Sequence, residues 1–139
     1  HLDRIEAKLA THDVAIGSRQ LTEDAHERSF LRRLLGEGFH RLVRIVAALP
    51  FKDTQAGLKG FRRGVATYIG NKQRALRYSV DVEMLYIAKR RGWSIAEVPA
   101  VVSDHHASKP SRVDLLRDPL KMLRDLVKIR LNGLVGRYD

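Results

Sequence analysis

The sequence predicts an α/β domain in which helices cover a small sheet. Short apolar runs of the kind found in buried strands alternate with longer segments whose apolar residues recur every three or four positions. Of the 139 residues, 44% are hydrophobic and only 4 are proline, which is typical of one globular domain or part of one. Because the chain contains no cysteine, we expect packing alone to hold the fold.

The amino-terminal segment predicts a helix followed by a strand. Apolar residues at helical spacing indicate a helix through Ala10, and the run Asp13-Val-Ala-Ile16 indicates a buried strand, which Gly17-Ser18-Arg19 closes. Residues 20–27 are polar and aperiodic, so we expect a loop there. This succession is a helix–strand step of an α/β layer.

A long amphipathic helix is expected from about Arg28 to Leu49, where Pro50 ends it. One side of this helix is apolar, and polar residues follow one another at three- and four-residue spacing along another. The polar set consists of Arg33, Glu37, His40, Arg41 and Arg44. A loop over 52–60 and a strand or short helix over 61–69 are expected next.

The rest of the chain predicts a helix, a strand and a final helix. Asp81 begins a helix that runs to Arg91. Residues 93–102 indicate a strand, in which Pro99 favours an edge or bulge position. A polar loop over 103–112 leads to the final helix.

The final helix, over 115–134, is basic and amphipathic. With about 100° per residue, its cations fall within one arc of roughly 60°. These cations are Arg117, Lys121, Arg124 and Lys128. The neighbouring side is apolar and carries Leu116, Leu120, Leu123, Leu126, Val127 and Ile129. Such a helix suits a membrane surface, with Lys and Arg facing the lipid phosphates; an ordinary helix packed on the core is the alternative.

The charge balance favours an anionic partner. The 26 Lys and Arg against 16 Asp and Glu give a net charge of +10, which suits nucleic acid, phosphate groups or an acidic membrane face. Only 6% of the residues are aromatic and they form no stacking array, which argues against nucleic acid. No stretch approaches the roughly 18 apolar residues that span a bilayer, so any membrane contact is expected to be peripheral.

Three short motifs contain residues suited to phosphate binding or catalysis, and each also has a purely structural explanation. Gly17-Ser18-Arg19 follows a strand and would direct N–H groups and a guanidinium at a phosphate, or form a common turn. Asp53-Thr-Gln-Ala-Gly-Leu-Lys59 joins a carboxylate, an amide and a cation, or forms an Asx-type turn. The acids of Asp81-Val-Glu83 cap a helix, or orient phosphate-binding basic side chains. Adjacent His105 and His106 lack the spacing of a helical zinc motif, so no metal site is predicted in this chain.

Taken in order, these motifs resemble the carboxyl-terminal half of the family-two polyprenyl-phosphate glycosyltransferases. The similarity is greatest to the dolichyl-phosphate β-glucosyltransferases, and mannose synthases are more distant. It covers nearly the whole chain through Val14-Ala-Ile-Gly-Ser-Arg19, Gly38-Phe-His40, Asp53-Thr-Gln-Ala-Gly-Leu-Lys59, Phe61-Arg-Arg63, Asp81-Val-Glu-Met-Leu-Tyr-Ile-Ala88, Ile95-Ala-Glu-Val-Pro99, Ser108-Lys109 and Arg124-Asp-Leu-Val-Lys-Ile-Arg-Leu131.

The resemblance implies a partial GT-A fold with amphipathic interfacial helices, in which residues 1–139 form the acceptor-side half of one domain. It implies inverting transfer of a hexose, glucose from UDP-glucose, to a dolichyl-type polyprenyl phosphate at the cytoplasmic face of a membrane. The family's Asp-x-Asp motif, which holds Mg²⁺ or Mn²⁺, does not occur here. The metal and the nucleotide sugar are therefore expected to bind the missing half, the chain alone is expected to be inactive, and an unpaired sheet edge would favour pairing with a second copy.

The resemblance also assigns residues. It implies that the acceptor phosphate is held by Arg19, Arg33, Ser108 and Lys109, and that the sugar and reaction centre are bordered by Asp53, Gln55, Asp81 and Glu83. Because a phosphate is already an anionic nucleophile, such a site needs alignment and charge neutralisation more than a strong base. Two alternatives stay open: a polyprenyl-phosphate mannose synthase, from whose loop pattern Ser103 and His106 depart, and a non-enzymatic basic module that binds nucleic acid or anionic lipid.

Overall fold

The computed structural model describes residues 2–18, 30–76, 79–100 and 118–139. These ranges contain five helices and three strands, which confirms the predicted α/β class. The elements are α1 (Leu2–Leu9), β1 (Val14–Ser18), α2 (Phe30–Val46), β2 (Lys59–Phe61), α3 (Arg63–Lys72), α4 (Ser79–Arg90), β3 (Ile95–Pro99) and α5 (Asp118–Leu134).

The three described strands form one mixed sheet in the order β2-β1-β3. The central strand β1 runs antiparallel to β2, with Val14 opposite Phe61, and parallel to β3, with Ser18 opposite Pro99. All five residues of β1 are buried, as its apolar composition predicts for a strand covered on both faces. The carboxyl ends of β1 and β3 therefore lie side by side.

Helices cover both faces of the sheet because successive strand residues point to opposite sides. Val14 and Ile16 of β1 face the main core, whereas Ala15 packs with Ile5 of α1 and Val98 of β3 in a smaller cluster. The main core draws further members from α2 to α5 and from the chain end, among them Val43, Ile69, Leu85, Ile87, Leu126, Ile129 and Tyr138.

Two glycines permit close packing of helices. A Cβ atom at Gly60 in β2 would collide with the side chains of Ile5 and Leu9 in α1. A Cβ atom at Gly133 in α5 would collide with the ring of Tyr86 in α4. The helices α1 and α5 can approach their neighbours this closely because neither position carries a side chain.

A polar clamp joins the residues that precede β1 and β3. The Asp13 carboxylate accepts hydrogen bonds from the Ser94 backbone N–H at 2.9 Å and from the Ser94 hydroxyl at 2.8 Å. The backbone bond is the main reason why the pKa of Asp13 is lowered. Because Asp13 and Ser94 lie one residue before the two strands, this clamp fixes their parallel register.

The residues after α5 fold back onto α4. Tyr138 is fully buried, and its ring meets that of Tyr86 at 5.9 Å between centroids. The Arg90 guanidinium donates two hydrogen bonds to the Asp139 carboxylate, at 2.7 and 2.8 Å. This bidentate pair lowers the pKa of Asp139 and ties the last residues to the end of α4.

Most element boundaries agree with the predictions, and the differences are local. The helix expected to reach Leu49 ends at Val46, and the helix expected from Asp81 begins at Ser79. Residues 59–61, split in the prediction between a loop and an undecided element, form β2, and α3 follows from residue 63 to residue 72. Pro99 ends β3 at an edge of the described sheet, as expected.

Candidate active site

The predicted Asp-Thr-Gln loop lies at the carboxyl end of the parallel strand pair. The Gly17 N–H of β1 donates to the Leu58 carbonyl at 2.9 Å, and the Lys52 N–H donates to the Glu97 carboxylate of β3 at 2.8 Å. The same Glu97 oxygen accepts from the Asp53 N–H at 3.4 Å. The loop 52–58 is therefore fixed where α/β sheets bind ligands.

The inner part of this loop is buried and polar. Asp53 and Thr54 are each 1% exposed, while Gln55 is half-buried. The Thr54 hydroxyl, like that of the fully buried Ser18 at the end of β1, has no hydrogen-bond partner within the described ranges. Since buried hydroxyl groups are normally paired, these two groups are suited to hydrogen-bond a bound polar ligand or water.

An ion pair holds the other side of the loop against α4. The Lys59 ammonium donates to the Asp81 carboxylate at 2.9 Å and also to the Ala56 carbonyl. The Lys59 side chain is only 6% exposed, whereas that of Asp81 is 36% exposed. Asp81 therefore orients a cation of the loop, which is one of the two roles that the sequence leaves open for it, and the pair fixes the loop to the first turn of α4.

Glu83 lies on a different side of α4 from Asp81, because residues two apart on a helix do not face each other. Its buried carboxylate accepts hydrogen bonds from the N–H groups of Arg74 and Ala75, at 2.8 and 2.7 Å, and from the Tyr138 hydroxyl at 2.6 Å. Burial and then this contact raise the pKa of Tyr138. Glu83 thus joins the segment after α3 and the chain end to α4, and its role at a reaction centre stays a prediction.

Three of the predicted phosphate ligands, Arg19, Ser108 and Lys109, lie outside the described residues. The same holds for Arg117, which is predicted to face the membrane. Ser18, which precedes Arg19, ends β1 beside the Asp-Thr-Gln loop. Arg33 lies in α2, near its amino end. The contacts of these four phosphate or membrane ligands and of Arg33 therefore stay predictions.

The apolar residues of α5 are divided between the core and the surface. Leu126 and Ile129 are 1% and 2% exposed and belong to the main core, whereas Leu120 is 71% exposed. The helix therefore packs one apolar side inward and presents another outward. We call the second side the outer stripe: Leu120, Leu123, Val127, Leu131 and Leu134. Lys121, Arg124 and Lys128 are exposed and lie beside it.

The described residues contain neither a membrane-spanning helix nor a cluster of metal-ligating side chains. No helix in these ranges is both long and apolar enough to cross a bilayer. In the same part of the chain, no three His, Cys, Asp or Glu side chains are grouped so that they could hold a metal ion.

Sequence reasoning misses two residues that shape this region. Glu97 accepts hydrogen bonds from the loop, and the only sign of this role in the sequence is that it is a carboxylate within the otherwise apolar strand Ile95–Pro99. Tyr138 supplies a donor to Glu83, and no pattern in the sequence indicates that contact.

Comparison with known proteins finds relatives among the glycosyltransferases. Several of them are named dolichyl-phosphate β-glucosyltransferases. That of Saccharomyces cerevisiae is 39% identical over 136 residues, 96% of this chain and 40% of its own length. That of Dictyostelium discoideum is 35% identical over 140 residues, covering 97% and 42%, and the human protein is 35% identical over 127 residues, covering 90% and 38%.

These homologues confirm the resemblance inferred from the motifs. The chain spans about 40% of the length of the curated relatives it matches. No family model matches the chain. No solved structure matches it either.

Proposed function

We propose that this chain is the acceptor-side part of a GT-A glycosyltransferase that transfers glucose from UDP-glucose to dolichyl phosphate with inversion. The support is collinear similarity to dolichyl-phosphate β-glucosyltransferases over 86 to 97% of the chain. Because the chain corresponds to only 36 to 42% of those proteins, the donor site is proposed to lie outside it, and the chain alone is proposed to lack transfer activity.

The observation that carries this proposal is the loop 52–59, braced by Glu97 on one side and by the Lys59–Asp81 pair on the other. It lies beside the end of β1, from which the chain continues into Arg19. A guanidinium leaving this strand end would hold the acceptor phosphate near Asp53 and Gln55. We therefore propose that the phosphate and the sugar bind side by side at this strand end, where α/β sheets commonly bind ligands.

The proposed reaction requires positioning more than proton transfer. A phosphate oxygen of the acceptor forms a bond to the anomeric carbon, the bond from that carbon to the diphosphate breaks, and UDP leaves with the electron pair. Arg19, Arg33, Ser108 and Lys109 are proposed to align and neutralise the acceptor phosphate, and the 53–55 loop to border the sugar. Mg²⁺ or Mn²⁺ is proposed to bind through the family's Asp-x-Asp motif, which does not occur in this sequence.

The outer stripe of α5 is proposed to dock the protein peripherally on the cytoplasmic face of a membrane. Leu120, Leu131 and Leu134 are 71%, 53% and 66% exposed, and the cations beside them would meet lipid phosphates. Docking of this kind would bring the lipid-linked acceptor to the site without a membrane span in this chain.

The test is glucosyl transfer from UDP-glucose to dolichyl phosphate by a full-length enzyme that contains this chain. Arg19→Ala and Asp53→Asn should each lower kcat/KM by at least about tenfold, because one removes a phosphate ligand and the other a carboxylate of the loop. The matched controls, Arg63→Ala and Asp3→Asn, alter exposed residues of α3 and α1 and should retain activity. Wild-type rates in both site variants, or a preference for nucleotide-activated mannose, would contradict the proposal.

A further inference from the structure

A groove of about 940 Å³ separates α5 from the segment that follows α3. Five cations line it: Arg74, Lys121, Arg124, Lys128 and Arg137. Arg137 donates to the Asn132 side-chain oxygen at 3.0 Å. Within the described ranges, the side chains of the other four form no ion pair or hydrogen bond. The groove therefore concentrates positive charge that the described residues leave largely uncompensated.

The two carboxylates in the groove wall already have hydrogen-bond donors. Asp125 accepts from the Ser79 hydroxyl at 2.9 Å, and Glu83 accepts the three hydrogen bonds described above. Both negative charges are therefore already stabilised by donors of the protein itself. Because five cations and only two carboxylates line the groove, its charge favours an anionic ligand.

The groove also has an apolar side that is open to solvent. Leu76, Leu131 and Val135 line it and are 78%, 53% and 67% exposed. Leu131 belongs to the outer stripe of α5, so the groove and the stripe are continuous. Apolar surface of this extent beside clustered cations matches a ligand that has both an acyl chain and an anionic head group.

The groove is separate from the loop of the candidate active site. Glu83 lines the groove, whereas Asp81 holds Lys59 on a different side of α4. None of the residues 52–59 lines the groove. An occupant of the groove would therefore leave the loop accessible to its own substrate.

We propose that this groove binds the phosphate head group of an anionic membrane phospholipid, with an acyl chain against Leu76, Leu131 and Val135. Arg74 and Arg137 supply guanidinium groups from outside α5, and Lys121, Arg124 and Lys128 supply cations from within it. This inference rests on the membrane docking proposed above and names the lipid that the docked protein recognises.

The test compares binding of the chain to sedimenting phosphatidylcholine vesicles with and without phosphatidylserine. The groove variant is Arg74→Gln with Arg137→Gln, and the control is Lys8→Gln with Arg63→Gln. Each removes two positive charges from exposed residues, and none of the four residues lies in α5. We expect the groove variant to weaken binding to phosphatidylserine vesicles by about tenfold or more, against less than about twofold for the control.

Equal losses in the two double variants would overturn the groove proposal, yet would leave docking through the outer stripe and the transfer reaction untouched. Glycerol phosphate is the second arm of the experiment. If it displaces the chain from vesicles at concentrations comparable to those of the accessible lipid, the site binds a free phosphate ester, and the lipid assignment is wrong.

A fluorescent label identifies the occupant directly. Because the chain contains no cysteine, Leu76→Cys provides one attachment point in the groove, and Arg63→Cys provides a control on α3. Spin-labelled phosphatidylserine should quench the label at position 76 and leave that at position 63 bright. A label at position 76 that is already shielded before vesicles are added, and that is not quenched afterwards, would show that another part of this chain fills the groove.

Discussion

At the scale of the residue, Glu83 and Glu97 stabilise the chain in the same way. Each carboxylate accepts hydrogen bonds from two successive backbone N–H groups, those of residues 74 and 75 for Glu83 and those of residues 52 and 53 for Glu97. Both N–H pairs belong to segments outside helices and strands, which cannot satisfy their own donors. One carboxylate thus shapes the groove and the other shapes the candidate active site.

The Tyr138 contact with Glu83 makes a testable contribution that depends on pH. In the folded state, burial and the hydrogen bond to Glu83 raise the pKa of Tyr138 above the ordinary tyrosine value of 10.0. Because the folded pKa is the higher one, this stabilisation is complete below pH 10 and is lost as the pH rises further. We expect the free energy of unfolding of the wild-type chain, measured by urea titration, to fall between neutral pH and about pH 11.

Tyr138→Phe separates this contribution from general alkaline destabilisation. At neutral pH the variant should be less stable by about 1–3 kcal/mol, because the buried Glu83 loses a donor. Its stability should also decline less steeply than that of the wild type above pH 10, because the titrating phenol is gone. Identical declines in the two proteins would show that the contact does not control the titration.

At the scale of the element, the hydrophobic pattern predicts those helices and strands that are defined by their own apolar residues. The run Val14-Ala-Ile16 and the periodic residues of α4 predict their elements because apolar positions alone define those faces. β2 has only three residues, all half-buried, and exists because it pairs with β1. Arg62 precedes α3 and makes no side-chain cap, so no capping signal marks where that helix begins.

The two apolar sides of α5 have separate effects, and a pair of matched substitutions distinguishes them. Leu126→Ala opens a cavity in the core and should lower the free energy of unfolding by about 2–4 kcal/mol. Leu120→Ala removes an exposed side chain and should change that free energy little. It should instead weaken binding to anionic vesicles by about three- to tenfold, because less apolar surface enters the acyl region.

Urea unfolding and vesicle sedimentation on both variants complete this comparison. Each variant serves as the control for the other, since both shorten a leucine in the same helix. Docking through the outer stripe would be contradicted if Leu120→Ala bound vesicles as tightly as the wild type.

At the scale of the whole molecule, the sequence indicates the residues of the candidate site, but not the distant residues that hold them in position. The motif Asp53 to Lys59 predicts one chemical loop, and Asp81 is expected to orient a cation of such a loop. Glu97 is 45 residues from Lys52 and 44 from Asp53, whose N–H groups it binds. Tyr138 is 55 residues from Glu83. Contacts between residues so far apart depend on the assembled fold. Hydrophobic periodicity indicates only local secondary structure and does not predict them.

The net charge of +10 favours anionic partners, but the charge alone does not choose between lipid and nucleic acid. Binding to nucleic acid by charge falls steeply with salt, because it depends on counterion release. Binding to vesicles through the outer stripe has in addition an apolar part that salt does not screen. We therefore expect sedimentation with phosphatidylserine vesicles to persist in about 0.5 M salt and to resist competition by double-stranded RNA at physiological ionic strength. Salt-sensitive RNA binding without affinity for these vesicles would instead favour the basic nucleic-acid module. It would contradict the membrane docking on which the proposed transfer to a lipid phosphate depends.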